Sequence, residues 1–162
     1  MSQEEETSSI PKLKAAAEED PENSDTWRAL GAVCLQELNY EEALKALQKA
    51  VGLEPSNPET HFALAKAFDG LKRYEEMIDA FQEAAYLGPD WPEAHYNLGL
   101  AFMVVGQYED AKAPLRKAVE VAPEFAEAYK VLGVIHALLG EADAGREYSE
   151  KAAQLNPDYR KA

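Results

Sequence analysis

The sequence has little of three things that would place it in a specialised class: cysteine, long apolar runs and basic residues. Cys34 is the only cysteine, so an intrachain disulfide bond is impossible, and this usage fits a reducing compartment. No apolar run approaches the ~20 residues that a bilayer-spanning helix needs. The start, MSQEEETSSI, lacks the basic and apolar regions of a signal or transit peptide. We therefore expect a soluble, cytoplasmic protein.

Basic residues are outnumbered, since 16 Lys+Arg face 30 Asp+Glu and give a formal net charge of −14. Such a chain repels phosphate backbones and anionic lipid headgroups unless its cations are concentrated in one patch. The sequence contains no such patch. It therefore argues against nucleic acid and membrane surfaces as partners.

Residues that could carry chemistry are also scarce. The only histidines are His61, His95 and His136, and a metal site would need further ligands that the sequence does not place beside them. We interpret His61 and His95 as packing residues with a hydrogen bond to spare, and we expect Cys34 to be buried and inert. Glycine-rich phosphate-binding motifs are absent. We expect no catalytic residue, no cofactor and no metal, and hence no enzyme activity.

The positive feature of the sequence is a repeat of 34 residues. Five prolines keep this interval, at Pro21, Pro55, Pro89, Pro123 and Pro157. Five alanines precede them in the same register, at Ala16, Ala50, Ala84, Ala118 and Ala152. Between the prolines the apolar residues recur at helical spacing, so each unit is predicted to be a pair of helices. Gly106 and Gly140 lie where the first helix of a pair would end.

These residues resemble the tetratricopeptide repeat family. The matching segments are WRALG from Trp27, HFALA from His61, HYNLG from His95 and YKVLG from Tyr129, followed by YEEAL, YEEMI and YEDAK in the next helices of the first three units. The resemblance implies an all-α, right-handed superhelical solenoid of antiparallel helix pairs, whose first helices line a concave groove. Four full repeats are expected at 24–57, 58–91, 92–125 and 126–159, after a half repeat at 10–23. We expect 1–9 to be a disordered acidic N-terminus and 160–162 to start a missing cap or a further repeat.

Small residues recur inside the first helices at Gly31, Gly99 and Gly133. Because a glycine inside a helix costs about 1 kcal/mol relative to alanine, we expect each to permit a close approach of the second helix. Its small residues Ala43, Ala111 and Gly145 are the predicted contacts.

The segment Tyr96–Val105 carries two apolar faces. Helical geometry assigns Leu98, Phe102 and Val105 to the core and leaves a second face on the opposite side. In the family this second face lines the groove. The candidate groove residues are Arg28, Phe62, Lys66, Tyr96, Asn97, Leu100, Met103, Val104, Lys130, Val134 and Leu138.

The function that follows is a non-catalytic scaffold or adaptor, which binds a peptide segment or a helix of a partner protein in the groove. Three cations on an otherwise acidic protein suit a ligand with apolar anchors and an acidic group. Two alternatives remain open. One is self-association into a homo-oligomer through the C-terminal end around Ala152, Ala153 and Leu155, and the other is a regulatory repeat region of a larger protein.

Overall fold

The computed structural model describes residues 9–161, and within that range the protein is all α-helical. Of the expected disordered segment 1–9, all but Ser9 lies outside the described residues, as does Ala162. A short 3₁₀ helix, Pro157–Lys161, follows the last α-helix. The α-helices are α1 (Ile10–Glu19), α2 (Ser24–Gln36), α3 (Tyr40–Leu53), α4 (Pro58–Gly70), α5 (Tyr74–Leu87), α6 (Pro92–Val104), α7 (Tyr108–Val121), α8 (Ala126–Leu138) and α9 (Ala142–Leu155).

The chain divides into two compact units between Met77 and Ile78, and α5 runs across the division. In the first unit α2 packs on α1 and α3, and α4 packs on α3. Its largest buried side chains include Leu30, Cys34 and Leu47. Burial also raises the pKa of the Cys34 thiol, as expected for an inert cysteine. In the second unit α6 pairs with α7 and α8 with α9 around a buried cluster of Ala111, Leu115, Leu132 and Ile135.

Asparagine side chains cap the starts of α2, α3 and α4. Asn23 Oδ1 accepts the backbone N–H of Thr26 at 3.1 Å, and Asn57 Oδ1 accepts that of Thr60 at 2.9 Å. These bonds satisfy N–H groups that have no partner inside the helix. Pro58 follows as the first residue of α4, where its missing N–H has no cost. The helices α2 and α4 therefore begin where an asparagine in the sequence provides a cap.

The first helix of every pair ends in the same way. A residue with left-handed backbone follows it, at Leu38 (φ 57°), Lys72 (φ 58°), Gly106 (φ 78°) and Gly140 (φ 78°). The residue after it donates its backbone N–H to a carbonyl group of the helix. Asn39 donates to the Cys34 carbonyl at 2.8 Å, and Gln107 donates to the Phe102 carbonyl at 2.9 Å. This is a Schellman cap. The turns predicted at the two glycines are thus present, and two non-glycine residues adopt the same strained conformation.

The expected contacts of the helical glycines need correction. A methyl group on Gly31 would lie 2.5 Å from Leu47 Cγ, and one on Gly99 would lie 2.4 Å from Leu115 Cγ. The residue beside each of these glycines is therefore a leucine one turn further along the second helix, because the helices cross there. Gly133 follows the same pattern, with Ser149 nearest to its added carbon, and the predicted Gly145 is also close, its carbonyl oxygen 3.1 Å away.

Two further side chains differ from their expected environment. Val105, assigned to the core, is 37% exposed because α6 ends at Val104 and Val105 is already the capping residue. Ala16 is exposed, whereas Ala50, Ala84, Ala118 and Ala152 in the same register are at most 1% exposed. No helix precedes α1 among the described residues to cover Ala16.

None of the helices within residues 9–161 is long and apolar enough to cross a membrane.

Candidate functional site

A cavity of about 230 Å³ lies between α6 and α8 in the second unit. We call it the α6–α8 cavity. Tyr96 and Met103 come from α6, and the 3₁₀ helix contributes Tyr159. The α8 residues that line it are Glu127, Lys130, Val131 and Val134. Four predicted groove residues, Tyr96, Met103, Lys130 and Val134, therefore meet at one place.

Aromatic side chains and two charges shape the α6–α8 cavity. The Tyr96 ring packs against Phe125, with centroids 4.8 Å apart. Lys130 Nζ lies 4.5 Å from the centroid of the Tyr159 ring, a cation–π contact, and the Tyr159 hydroxyl donates to Glu127 Oε1 at 3.3 Å. The cavity thus has apolar walls with one positive and one negative group at its edge.

Both tyrosines of the cavity stay protonated over a wide pH range. Burial is the main cause that raises the pKa of the Tyr96 phenol, and the Glu127 carboxylate adds to it. Burial likewise raises the pKa of Tyr159, again with a contribution from Glu127. The two phenols are therefore neutral hydrogen-bonding groups at neutral pH.

Apolar residues extend from the cavity onto the surface of the second unit. Val104 is 56% exposed, Val134 is 45% exposed and Leu138 is 58% exposed. Leu100 is half-buried. Exposed aliphatic side chains on neighbouring helices commonly mark interaction surfaces. The predicted apolar anchors of this unit are thus divided between the cavity wall and the open surface.

The remaining predicted groove residues are less available. Asn97 donates its side-chain amide to the Glu93 carbonyl at 2.7 Å, a bond within its own helix. In the first unit Arg28 forms ion pairs with Asp25 and, at 3.7 Å, with Glu54. Lys66 Nζ lies 5.9 Å from the centre of the Phe62 ring, and Lys66 is exposed. The charge of Arg28 is therefore already balanced, whereas Lys66 forms no ion pair with any other described residue.

Sequence reasoning missed Glu127, Val131 and Tyr159 of the cavity. One signal could have found Tyr159, because it occupies the repeat position of Asn23, Asn57, Trp91 and Phe125. Aromatic residues replace asparagine there in the later repeats. Glu127 carries no such signal, since Asp25, Glu59 and Glu93 fill the same position in every repeat. Tyr86 on α5 was also missed and is 78% exposed.

The histidines have structural partners. His61 Nε2–H donates to the Pro55 carbonyl at 2.7 Å, and His95 Nε2–H donates to that of Pro89 at 2.9 Å. Trp27 Nε1–H makes the same bond to Pro21 at 2.9 Å. The prediction of packing residues with one hydrogen bond is confirmed. No group of three or more potential metal ligands occurs among the described residues.

A second recess, which we call the α8–α9 groove, has a volume of about 720 Å³. Small residues line it, namely Gly133, Ala137, Ala142, Ser149 and Ala153, and its charged residues are Arg146, Glu150 and Arg160. Of the residues expected at a self-association surface, Ala153 lines this groove but is itself 9% exposed. Ala152 is buried in the protein at 1% exposure.

Comparison with known families gives three matches. A model described as tetratricopeptide repeat matches residues 96–160, a second of the same description matches 58–90, and one described as TPR repeat matches 39–72. Together they cover more than half of the chain. A search of curated proteins returned no significant match.

Solved structures share the fold over nearly the whole chain. MamA aligns with a TM-score of 0.88 and 27% identity, covering 94% of this chain and 90% of its own. MamA from Desulfovibrio magneticus RS-1 gives 0.84 and 20%, covering 92% and 84%. YrrB gives 0.82 and 22%, covering 92% and 77%, and is described as a TPR protein with an unusual peptide-binding site.

Proposed function

Because this chain belongs to the tetratricopeptide repeat family, we propose that it is a non-catalytic interaction module that binds a peptide segment or helix of a partner protein. The family and the similar solved structures support a role in protein–protein interaction. One protein with this fold, YrrB, is described as having a peptide-binding site, so the fold is compatible with such a ligand.

The observation that carries the proposal is the α6–α8 cavity together with the exposed side chains beside it. Tyr96, Met103 and Val131 leave space for an apolar side chain. Val134 and Leu138 are exposed nearby on α8. A ligand that covers them removes apolar surface from water at about 25 cal/mol per Å². An anchoring side chain in a pocket with apolar contacts around it is the usual form of a binding hot spot.

The charges define the ligand further. Lys130 contacts an aromatic ring and forms no ion pair with any other described residue. An acidic residue next to the anchoring side chain would neutralise it. Glu127 lies at the same cavity and already accepts the Tyr159 hydroxyl, so it disfavours a second acid on that side. The proposed ligand thus carries one apolar anchor and one acidic group.

In the first unit the proposal includes Phe62 and Lys66, which offer the same combination of an aromatic ring and a cation. The proposal also includes Arg28, whose charge is already paired with Asp25 and Glu54. The repeat boundaries expected from the 34-residue interval belong to the proposal as well.

The test is a peptide-display selection on the wild-type protein, followed by affinity measurements on the enriched peptides. Val134→Glu places a charge on the apolar surface without disturbing buried residues, and we expect it to weaken binding by about tenfold or more, equivalent to about 1.4 kcal/mol. Lys130→Gln should weaken acidic peptides selectively and reduce the salt dependence of their binding.

The matched control is Tyr86→Glu, which changes an exposed apolar residue of the same unit that lies outside the cavity. Its affinity should equal that of the wild type. Equal affinity of all three variants, or no enriched peptide at all, would contradict the proposed site.

A further inference from the structure

The first unit has a recess beside Trp27, with a volume of about 610 Å³. We call it the Trp27 recess. The residues that line it include Glu22, Trp27, Lys45, Lys49 and Gly52. The Trp27 side chain is half-buried, and its Nε1–H donates to the Pro21 carbonyl at 2.9 Å. The indole ring is therefore a fixed aromatic wall of the recess.

Gly52 keeps the Trp27 recess open. A methyl group added to this glycine would meet no atom within 4 Å, so no neighbouring side chain requires a glycine there. At the 34-residue interval, the later repeats have Tyr86, Glu120 and Gln154 in the same position. Glycine within a helix is less favourable than any of these three residues. The first repeat thus lacks a side chain that the other three repeats have, at a place where it would extend into the recess.

The repeat itself leaves this surface uncovered. Tyr86 is 78% exposed and Glu120 is exposed, although helix pairs precede and follow both of them in the chain. A further repeat at either end of the chain would therefore not fill the Trp27 recess.

Two lysines give the recess a positive charge. Lys45 and Lys49 are four residues apart and lie on the same side of α3. Lys49 forms no ion pair with any other described residue, and Lys45, which is 72% exposed, reaches Glu42 only at 3.7 Å. In the next repeat the same two positions hold Asp79 and Glu83. The charge of the recess is thus opposite to that of its counterpart in the second repeat.

These charges define the ligand. Lys45 and Lys49 share the recess with Glu22, which leaves one positive charge. A single carboxylate neutralises that charge. A phosphate group with two negative charges would exceed it, and a chain with a net charge of −14 repels the excess. The recess therefore favours an aspartate or glutamate side chain over a phosphate group.

The open shape favours a peptide over a small molecule. Lys45, Lys49 and Gly52 are all exposed. Small-molecule sites bury most of their ligand, whereas a peptide can continue past an open recess on both sides. The free space over Gly52 beside the Trp27 ring suits a flat aromatic side chain, because two aromatic rings pack favourably on each other.

We propose that the Trp27 recess binds an acidic segment of a partner protein, in which an aromatic side chain packs on Trp27 and a neighbouring aspartate or glutamate pairs with Lys45 and Lys49. Residues 1–8 of this chain contain three glutamates but no aromatic residue, so they lack the anchoring side chain. The inference goes beyond the proposed function, because the recess shares no residue with the α6–α8 cavity or with Phe62 and Lys66.

The probe is a library of displayed ten-residue peptides with Phe, Tyr or Trp fixed in the centre and random residues on both sides. The library is first depleted on Gly52→Tyr and then selected on the wild type, so that only peptides that need the open recess are enriched. We expect the enriched peptides to carry aspartate or glutamate next to the aromatic residue. Fluorescence anisotropy then gives their affinities for the full chain and its variants.

Gly52→Tyr restores the side chain of the next repeat and meets no atom within 4 Å, so it should fold normally and weaken binding by about tenfold or more. The matched control is Glu120→Tyr, the same change at the same position of the third repeat. It should bind the peptides as the wild type does.

Two further variants test the aromatic wall and the charge. Trp27→His retains a donor for the Pro21 carbonyl, as His61 does for Pro55, and should also weaken binding by about tenfold. Lys49→Glu introduces the charge of the second repeat and should weaken the acidic peptides. Replacing the peptide acid by its amide should remove this dependence on Lys49.

The inference fails if no enriched peptide depends on Gly52, if the enriched peptides lack an acid, or if phosphoserine in place of the acid binds more tightly. It also fails if Glu120→Tyr weakens binding as much as Gly52→Tyr does. Val134→Glu should leave these peptides unaffected. A loss of binding with Val134→Glu but not with Gly52→Tyr would assign the peptides to the α6–α8 cavity, which contradicts this inference and leaves the proposed function intact.

Discussion

The two units use the same repeat but terminate their first helices with different residues. In the first unit, asparagine caps the start of α2 and α4, and Leu38 and Lys72 occupy the left-handed position after their ends. In the second unit Trp91 and Phe125 stand at the starts, without an oxygen to accept an N–H, and glycines occupy the ends. The first unit therefore has better starts and more strained ends, and the second unit the reverse.

The comparison links the helix starts of the second unit to the ring contacts of the candidate site. Replacing asparagine by an aromatic residue gives up a cap of about 1 kcal/mol but places a ring against the neighbouring first helix, as Phe125 does on Tyr96. Tyr159 repeats the arrangement on Lys130. In the second unit the aromatic residues at these positions thus account both for the missing cap of α8 and for the ring contacts on Tyr96 and Lys130.

The largest expected effect tests whether the units differ only at helix ends. Leu47→Ala and Leu115→Ala remove equivalent side chains that are fully buried beside Gly31 and Gly99. Each should destabilise the protein by about 3 kcal/mol because a cavity is left against the glycine. Urea denaturation gives both values. A difference of more than about 1 kcal/mol between them would mean that the cores differ as well.

The next effect compares the two kinds of helix start. Phe125→Ala should cost about 2 kcal/mol through lost packing on Tyr96. Asn57→Ala should cost about 1 kcal/mol, because Asn57 accepts both the N–H and the hydroxyl of the buried Thr60. Phe125→Asn should recover part of the loss by adding a cap. If Phe125→Asn is no more stable than Phe125→Ala, the cap has no value in that position.

A smaller effect, of opposite sign in the two units, concerns the helix ends. Leu38→Gly should stabilise by about 1 kcal/mol, and Gly140→Leu should destabilise by a similar amount. An added side chain at Gly140 meets no atom within 4 Å, so the cost is conformational alone. Gly52→Ala, in the last turn of α3 with equally open surroundings, is the control and should stabilise. Thermal unfolding of the three variants decides the signs.

The smallest effect is the pH dependence of two ion pairs, one in each unit. A hydrogen bond from Lys14 lowers the pKa of Glu42, and hydrogen bonds from Lys112 and then His136 lower that of Glu141. A carboxyl whose pKa is lower in the folded than in the unfolded protein stabilises the fold at every pH above its unfolded-state pKa. This stabilisation is lost as the pH falls through its folded-state pKa. Glu42→Gln and Glu141→Gln should therefore lose less stability than wild type between about pH 6 and pH 3. Parallel stability curves for all three proteins would be the contrary result.

The fold followed from the sequence because the 34-residue interval and the helical spacing are local properties of the chain. The candidate site followed only in part. Helical geometry assigned Tyr96 and Met103 to one face, but it could not show that Arg28 also forms an ion pair with Glu54, since that contact joins two helices. It predicted Ala43 and Ala111 beside Gly31 and Gly99, whereas the nearest side chains are Leu47 and Leu115, one turn further along the second helix. Spacing along one helix predicts faces, whereas neighbours across helices depend on crossing geometry.

The bond from Trp27, His61 or His95 to a prolyl carbonyl closes within six residues of the chain. An indole and an imidazole serve it equally, and each bond joins the end of one repeat to the first helix of the next. A segment duplicated in register therefore brings with it a bond that holds it to its neighbour. This makes such a segment a portable part, suited both to the growth of longer arrays by duplication and to the engineering of arrays with chosen numbers of repeats.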